Sequence, residues 1–106
     1  QQQVQDVYDQ ITAQSGKLNV LVNNAGIAHI GTAADTSEED FDRVFAVNGK
    51  GVYNCLKAGI PKLLEAGGGA IVNMGSAASI RGVPERFAYS MSKGAVLSMT
   101  YSVAMD

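Results

Sequence analysis

Histidine and cysteine are nearly absent from this chain, which has one of each, His29 and Cys55. A lone thiol forms no internal disulfide, and with one imidazole it makes no metal cluster, so no metal site is expected. Basic blocks are also lacking, and the net charge is −2, which argues against nucleic acid as a partner. No apolar run approaches the roughly 20 residues of a membrane span, so no membrane partner is expected either. The opening "QQQVQDVYDQ" is polar and unlike a secretory signal. Beyond the short glutamine run there is no low-complexity segment, repeat or domain linker. These absences suit a soluble, cytoplasmic protein. An initiator methionine is missing too. The chain opens inside one helical pattern and stops inside another, at "SVAMD", so it reads as part of a longer sequence.

What is present is a globular composition: 46% of the 106 residues are hydrophobic and 17% charged. That length fits one domain or part of one. Val4, Val7, Tyr8 and Ile11 follow helical spacing and predict an amphipathic helix over 1–15, closed by Gly16. "LNVLVNN" brings Leu18, Val20, Leu21 and Val22 together, a short apolar run that predicts a strand buried on both faces. A loop is expected over 26–36. Ser37, with Asp40 three residues on, is expected to cap the next helix. Phe41, Val44, Phe45, Asn48, Val52, Cys55, Leu56 and Leu63 share one face of that helix, and Pro61 is a point of kinking or interruption near its end. Gly67 to Gly69 stop it. They precede a strand, whereas phosphate loops follow one. "AIVNM", Ala70 to Met74, predicts a second buried strand, and a loop with Gly82 and Pro84 leads to a last helix from about Phe87. Helix, strand, helix, strand, helix is the order of an α/β fold with a right-handed βαβ unit and parallel strands.

In open α/β sheets ligands bind beyond the carboxyl ends of the strands. Here those ends are "NNAG", Asn23 to Gly26, and "GSAAS", Gly75 to Ser79. If the strands are neighbours, Asn24, Gly26 and Ser76 face one cleft. Alone, an "NAG" turn is an ordinary strand-to-loop turn, although its glycine also permits close backbone approach to a ligand. Asn48 interrupts an apolar stripe, and Gly49 and Gly51 follow it. A buried amide without partners costs roughly 1–3 kcal/mol, and each helical glycine about 1 kcal/mol against alanine. The cluster suggests a helix bent around something such as a water, or a satisfied core asparagine beside close-packing glycines. Tyr89 and Lys93, four apart in "YSMSK", share a helix face. A phenol is a poor base at neutral pH, and a nearby ammonium favours its ionised form. Such a tyrosine exchanges a proton with an alcohol or carbonyl. An isolated Y-x-x-x-K is an ordinary surface pair.

Taken as an ordered set, "NNAG" at a strand end, an asparagine in the next helix, a serine after the next strand and Y-x-x-x-K beyond it resemble the short-chain dehydrogenase/reductase family. The resemblance covers essentially the whole chain. It implies a Rossmann-type, doubly wound parallel sheet, of which 1–106 would be a single partial domain from the central and C-terminal part. It implies NAD or NADP as cofactor and a small-molecule alcohol or ketone as substrate. The implied catalytic set is Asn48, Ser76, Tyr89 and Lys93. Tyr89 would be the general acid/base, Ser76 would hydrogen-bond the substrate oxygen, and Lys93 would hold the nicotinamide ribose. Asn48 would hold, through its backbone, a water leading to solvent. Asn24, Ala25 and Gly26 would line the cofactor, together with Tyr89 and Lys93. The resemblance also implies a homotetramer or homodimer packed through two long helices, around 39–65 and 88–106. It places a glycine-rich T-G-x-x-x-G-x-G loop before residue 1 and a substrate lid after residue 106. Gly49 stands where the family usually has a bulkier apolar residue.

The remaining candidates read as ordinary. His29 suits a solvated loop, Cys55 a packed thiol, Arg81 and Arg86 exposed loop charges, and Met91, Met99 and Met105 packing residues. A rival to the enzyme is an inactive fragment or binding module that keeps the motifs. Two strands are fewer than the three or so that usually make an independently stable sheet, so residues 1–106 alone are expected to be inactive.

Overall fold

The computed structural model describes residues 1–106. Its elements are α1 (Gln2–Ser15), β1 (Val20–Asn23), α2 (Glu38–Phe45), a π-helical turn (Ala46–Lys50), α3 (Gly51–Glu65), β2 (Ala70–Asn73), a 3₁₀ turn (Ala77–Ser79) and α4 (Phe87–Met105). β1 and β2 pair in parallel, with Leu21 opposite Ile71 and Asn23 opposite Asn73. This is the expected α/β arrangement. No helix is long and apolar enough to cross a membrane.

Local chemistry explains where the elements stop. Gly16 ends α1 with φ 88°, and its N–H bonds back to the carbonyl of Thr12. A left-handed residue there costs glycine little and other residues more. Ser37 caps α2 as expected, its hydroxyl accepting from Asp40 N at 3.0 Å. Gly67 and Gly68, at φ 90° and 111°, turn the chain out of α3. Gly69 lies against the backbone carbonyl of Asn19, where a β-carbon would collide. The triple glycine is therefore a helix stop and a strand entry. The helix runs through Pro61 without ending there.

The core fills one side of the sheet. Leu21 packs with Tyr8 of α1, with Val52, Leu56, Ala58 and Leu63 of α3, and with Val96 of α4. Ile71, Cys55 and Met99 pack against that cluster. Asp9 and Lys62 pair at 3.0 Å where α1 crosses α3. Beside them, burial and then the Cys55 thiol push the Tyr8 phenol above its ordinary pKa.

Four expectations need correction. The strands are covered on one face only: Val20 and Val22 of β1 are 57% and 54% exposed and Val72 of β2 is 46% exposed, with Met74 just past β2 at 43%. Side chains alternate across a strand, and α1, α3 and α4 pack on the side that receives Leu21 and Ile71. The long middle helix is not continuous α-helix, because five residues from Ala46 to Lys50 widen into a π turn. That turn rotates the helical face, so Phe45 stays exposed while Asn48 and Gly49 are buried. Met105 is 87% exposed and is no packing residue here. In α1, Val7 and Ile11 are exposed, and Tyr8 with Val4 carries the packing.

Candidate active site

The site grows from the carboxyl ends of the two strands. Asn23 donates from Nδ2 to Asn73 Oδ1 at 2.8 Å, and Asn73 donates onward to Thr100 Oγ1 of α4 at 3.0 Å. This side-chain ladder levels the strand ends and ties them to α4. The chain then leaves β1 as Asn24-Ala25-Gly26 and leaves β2 as Met74-Gly75-Ser76. Asn24 and Ala25 are exposed and border an open apolar hollow of about 300 Å³ with Val22, Val47, Gly51 and Cys55.

Asn48 has no solvent exposure. It sits in the π turn and reaches back to the loop after β1. Its Oδ1 accepts from Ile27 N at 2.8 Å, and its Nδ2 donates to Ile27 O at 2.8 Å and to Ser92 Oγ at 3.1 Å. An amide offers four hydrogen-bonding positions, and three are used here. The extra residue in the π turn lets the helix swing this side chain inward. Gly49 belongs to the same bend. A β-carbon there would stand 2.6 Å from Phe45 Cε1, so the Phe45 ring fills the place of a side chain.

Lys93 is 6% exposed. Its Nζ donates to Met74 O at 3.0 Å and lies 5.9 Å from the centre of the Tyr89 ring. It makes none of the ion pairs in the molecule, which are His29–Asp40, Arg43–Asp40 and Lys62–Asp9. A buried ammonium without a counter-charge is costly, and such groups concentrate at functional sites. Gly26 faces it closely: a β-carbon there would lie 3.4 Å from both Lys93 Nζ and Asn48 Oδ1. The lysine tip therefore stands between the two strand ends.

Ser76 is half-buried in extended backbone. Its Oγ accepts from Ala78 N at 3.1 Å, and its own N donates to Ser79 Oγ at 3.1 Å. The Ser76 hydroxyl proton has no acceptor within the protein and is free to donate. Ser79 Oγ in turn donates to the Lys93 carbonyl at 2.9 Å, which fastens the Ser76 loop to the helix that carries Lys93 and the half-buried Tyr89. Ser92, fully buried, donates to the Tyr89 carbonyl at 2.7 Å and receives Asn48. The structure thus groups Gly26, Asn48, Ser76, Tyr89 and Lys93 on one rim.

Two serines and the asparagine ladder were missed by the sequence reading. Ser92 stood inside the quoted "YSMSK", and a hydroxyl on a buried helix face was its signal. For the ladder, the signal was that both strands end in Val-Asn. His29 differs from expectation as well. Its side chain is 13% exposed and pairs with Asp40 at 3.3 Å, pinning the loop to the start of α2. Ser37 first, then Arg43 and His29, hold the Asp40 carboxyl below its ordinary pKa against the opposing effect of burial. The same loop is stitched to the segment before Tyr89, with Gly31 N on Glu85 O at 2.8 Å and Phe87 N on Gly31 O at 3.1 Å.

A family model described as short chain dehydrogenase matches residues 1–106. The 2-(R)-hydroxypropyl-CoM dehydrogenase of Xanthobacter autotrophicus is 48% identical over 96 residues, covering 88% of this chain and 38% of that protein. The solved structure of an NAD⁺-bound xylitol dehydrogenase superposes with a TM-score of 0.93 at 35% identity, over 97% of this chain and 40% of the other. That of a gluconate 5-dehydrogenase from Burkholderia cenocepacia, in complex with NADP and tartrate, gives 0.94 at 32% identity, over 98% and 41%. The chain spans about two-fifths of the length of the curated relatives it matches.

Proposed function

Because the chain belongs to the short-chain dehydrogenase/reductase family and has that family's Rossmann-type parallel fold, we propose that it is the core of an oxidoreductase. The reaction is the interconversion of a secondary alcohol and a ketone with NAD or NADP. The single observation that carries this reading is the buried, unpaired Lys93 beside Tyr89, at the point where Gly26 and Met74 leave the strands. Both nicotinamides remain in play, since similar proteins are described with NAD⁺ and with NADP.

The residues present fit such a cofactor. Lys93 Nζ has three donors, of which one is used on Met74, so two are free for a ribose diol. Gly26, without a β-carbon, lets a flat group approach the lysine tip. Asn24, Ala25 and Gly26 line that approach. When bound, the nicotinamide supplies or takes the hydride. Tyr89 takes the hydroxyl proton in oxidation and returns it in reduction. Ser76, its proton unspent on the protein, donates to the substrate oxygen and stabilises charge there. Asn48 holds the loop after β1 through its side chain, and its backbone in the π turn supports a water leading from Lys93 to solvent.

The exposed Tyr53 of α3 and Tyr101 of α4 support packing of these helices against a second copy, as homodimer or homotetramer. A cytoplasmic location is part of the same reading.

The test is turnover of the complete protein with NAD or NADP against secondary alcohols and their ketones, followed by nicotinamide absorbance. At least one pair is turned over, and Tyr89→Phe abolishes turnover while cofactor binding persists. Undiminished turnover by Tyr89→Phe would reject the assignment. A second reading, a motif-bearing piece without turnover, is favoured for residues 1–106 alone by their two-stranded sheet with one bare face. Tight stoichiometric NADH binding by that piece would contradict it.

A further inference from the structure

We propose that Ser79 is a positioning residue that sets the Ser76 hydroxyl against Tyr89 and Lys93. The inference rests on the reading of Ser76, Tyr89 and Lys93 given above. One hydroxyl makes the link: Ser79 Oγ accepts from Ser76 N at 3.1 Å and donates to Lys93 O at 2.9 Å. Lys93 then closes a ring through its side chain, which reaches Met74 O at 3.0 Å, two residues before Ser76. Going round, the ring runs from Met74 to Ser76 along the chain, to Ser79, to the Lys93 carbonyl, and back through Nζ. It joins the end of β2 to the first turns of α4 over a few residues. Of the side chains that make the ring's hydrogen bonds, Ser79 and Lys93, Ser79 is the one without a part in the proposed mechanism.

The placement matters because Ser76 lies in a loop. Its backbone is extended, and the 3₁₀ turn that follows is only three residues long. Such a turn has poor hydrogen-bond geometry and little rigidity of its own. The reciprocal pair, Ser76 Oγ on Ala78 N and Ser79 Oγ on Ser76 N, fixes the loop within itself. The onward bond to Lys93 is the hydrogen bond that ties the turn itself to the helix that carries the tyrosine. Without the Ser79 hydroxyl, Lys93 keeps Met74 and Ser92 keeps Asn48 and Tyr89, so the cofactor-holding half of the site survives. The loss falls on Ser76. An error of about 1 Å in such a group can cost up to a hundredfold in rate.

The experiment is a double-mutant cycle in the complete protein, with single-turnover rates read for wild type, Ser79→Ala, Ser76→Ala and the double variant. Ser79→Ala lowers the rate about tenfold with cofactor affinity unchanged, and Ser79→Thr recovers most of it. In the Ser76→Ala background Ser79→Ala costs less than about twofold, because the group it positions is gone. An equal loss in both backgrounds, or no loss in either, overturns the proposal. Full turnover by Ser76→Ala overturns the reading of Ser76 itself, a separate failure. If Ser79→Ala does not fold, Ser79→Cys takes its place. It keeps the shape with a poor hydrogen bonder, and wild-type turnover by that variant also overturns the proposal.

Discussion

β1 and β2 end on paired asparagines, and each is followed by a loop that a buried polar side chain of a later helix holds in place. After β1 the fastener is Asn48, which clamps both backbone groups of Ile27. After β2 it is Lys93, which holds the Met74 carbonyl alone. The asparagine is neutral and has three bonds within the protein. The lysine meets no carboxylate and keeps donors in hand. One architectural device has been used twice, once closed and once open. The closed one holds shape, and the open one has capacity left for a ligand.

The largest effect that could break this contrast comes from exchanging Lys93 for methionine. Turnover of the complete protein is expected to fall at least a hundredfold, on the order of 3 kcal/mol of transition-state stabilisation. Thermal stability is expected to hold or rise, since a buried unpaired cation is removed. A variant that melts early but turns over normally would make Lys93 a structural fastener like Asn48. Next comes Asn48→Ala. It orphans Ile27 N–H and C=O, while the Ser92 hydroxyl keeps Tyr89 O, so denaturant melts should show a loss of about 2–3 kcal/mol. Retained stability would mean that the loop after β1 is held by something else.

Smaller effects belong to the packing beneath the rim. A β-carbon at Gly59 would lie 2.9 Å from Leu21 Cδ2 and 3.1 Å from Tyr8 Cε1. Gly59→Ala is expected to cost about 1–2 kcal/mol by overpacking the α1–α3–β1 contact, with the fasteners intact and the rate per folded molecule unchanged. The smallest effect is that of acid. Lys62 first, then Gln5, hold Asp9 below its ordinary pKa, and Ser37 does the same for Asp40. Depressed carboxylates stabilise the fold above their unfolded pKa, and that contribution fades as pH falls through the folded one. Melting temperature should therefore drop slightly on acidification below about pH 4, and Asp9→Asn should flatten part of the drop. The change falls on α1, α2 and α3, away from both fasteners.

The contrast was only half legible in the sequence. Element order, the parallel pair and the shared rim followed from periodicity, from "NNAG" and from the four-residue spacing of Tyr89 and Lys93. Those features are local, and their physics is local. Asn48 announced itself as a polar residue in an apolar stripe, because an unsatisfied amide is too costly to be accidental. Its partner Ile27 lies across a loop, and no spacing rule reaches that far. The bend itself was legible from Asn48, Gly49 and Gly51, but its π form was not, since the extra residue is fixed by the tertiary bonds of Asn48. The bare face of the sheet could not be read from Val20 and Val22. An apolar residue looks the same whether its cover lies inside these residues or not.

The most direct measurement follows the hydrogen. The substrate alcohol found by the turnover screen is labelled with deuterium on its carbinol carbon and given to the complete protein with the oxidised nicotinamide. The account predicts that the label moves to the nicotinamide ring while the hydroxyl proton passes through Tyr89 to solvent. Deuterium appearing in water instead, with none on the nicotinamide, would contradict it.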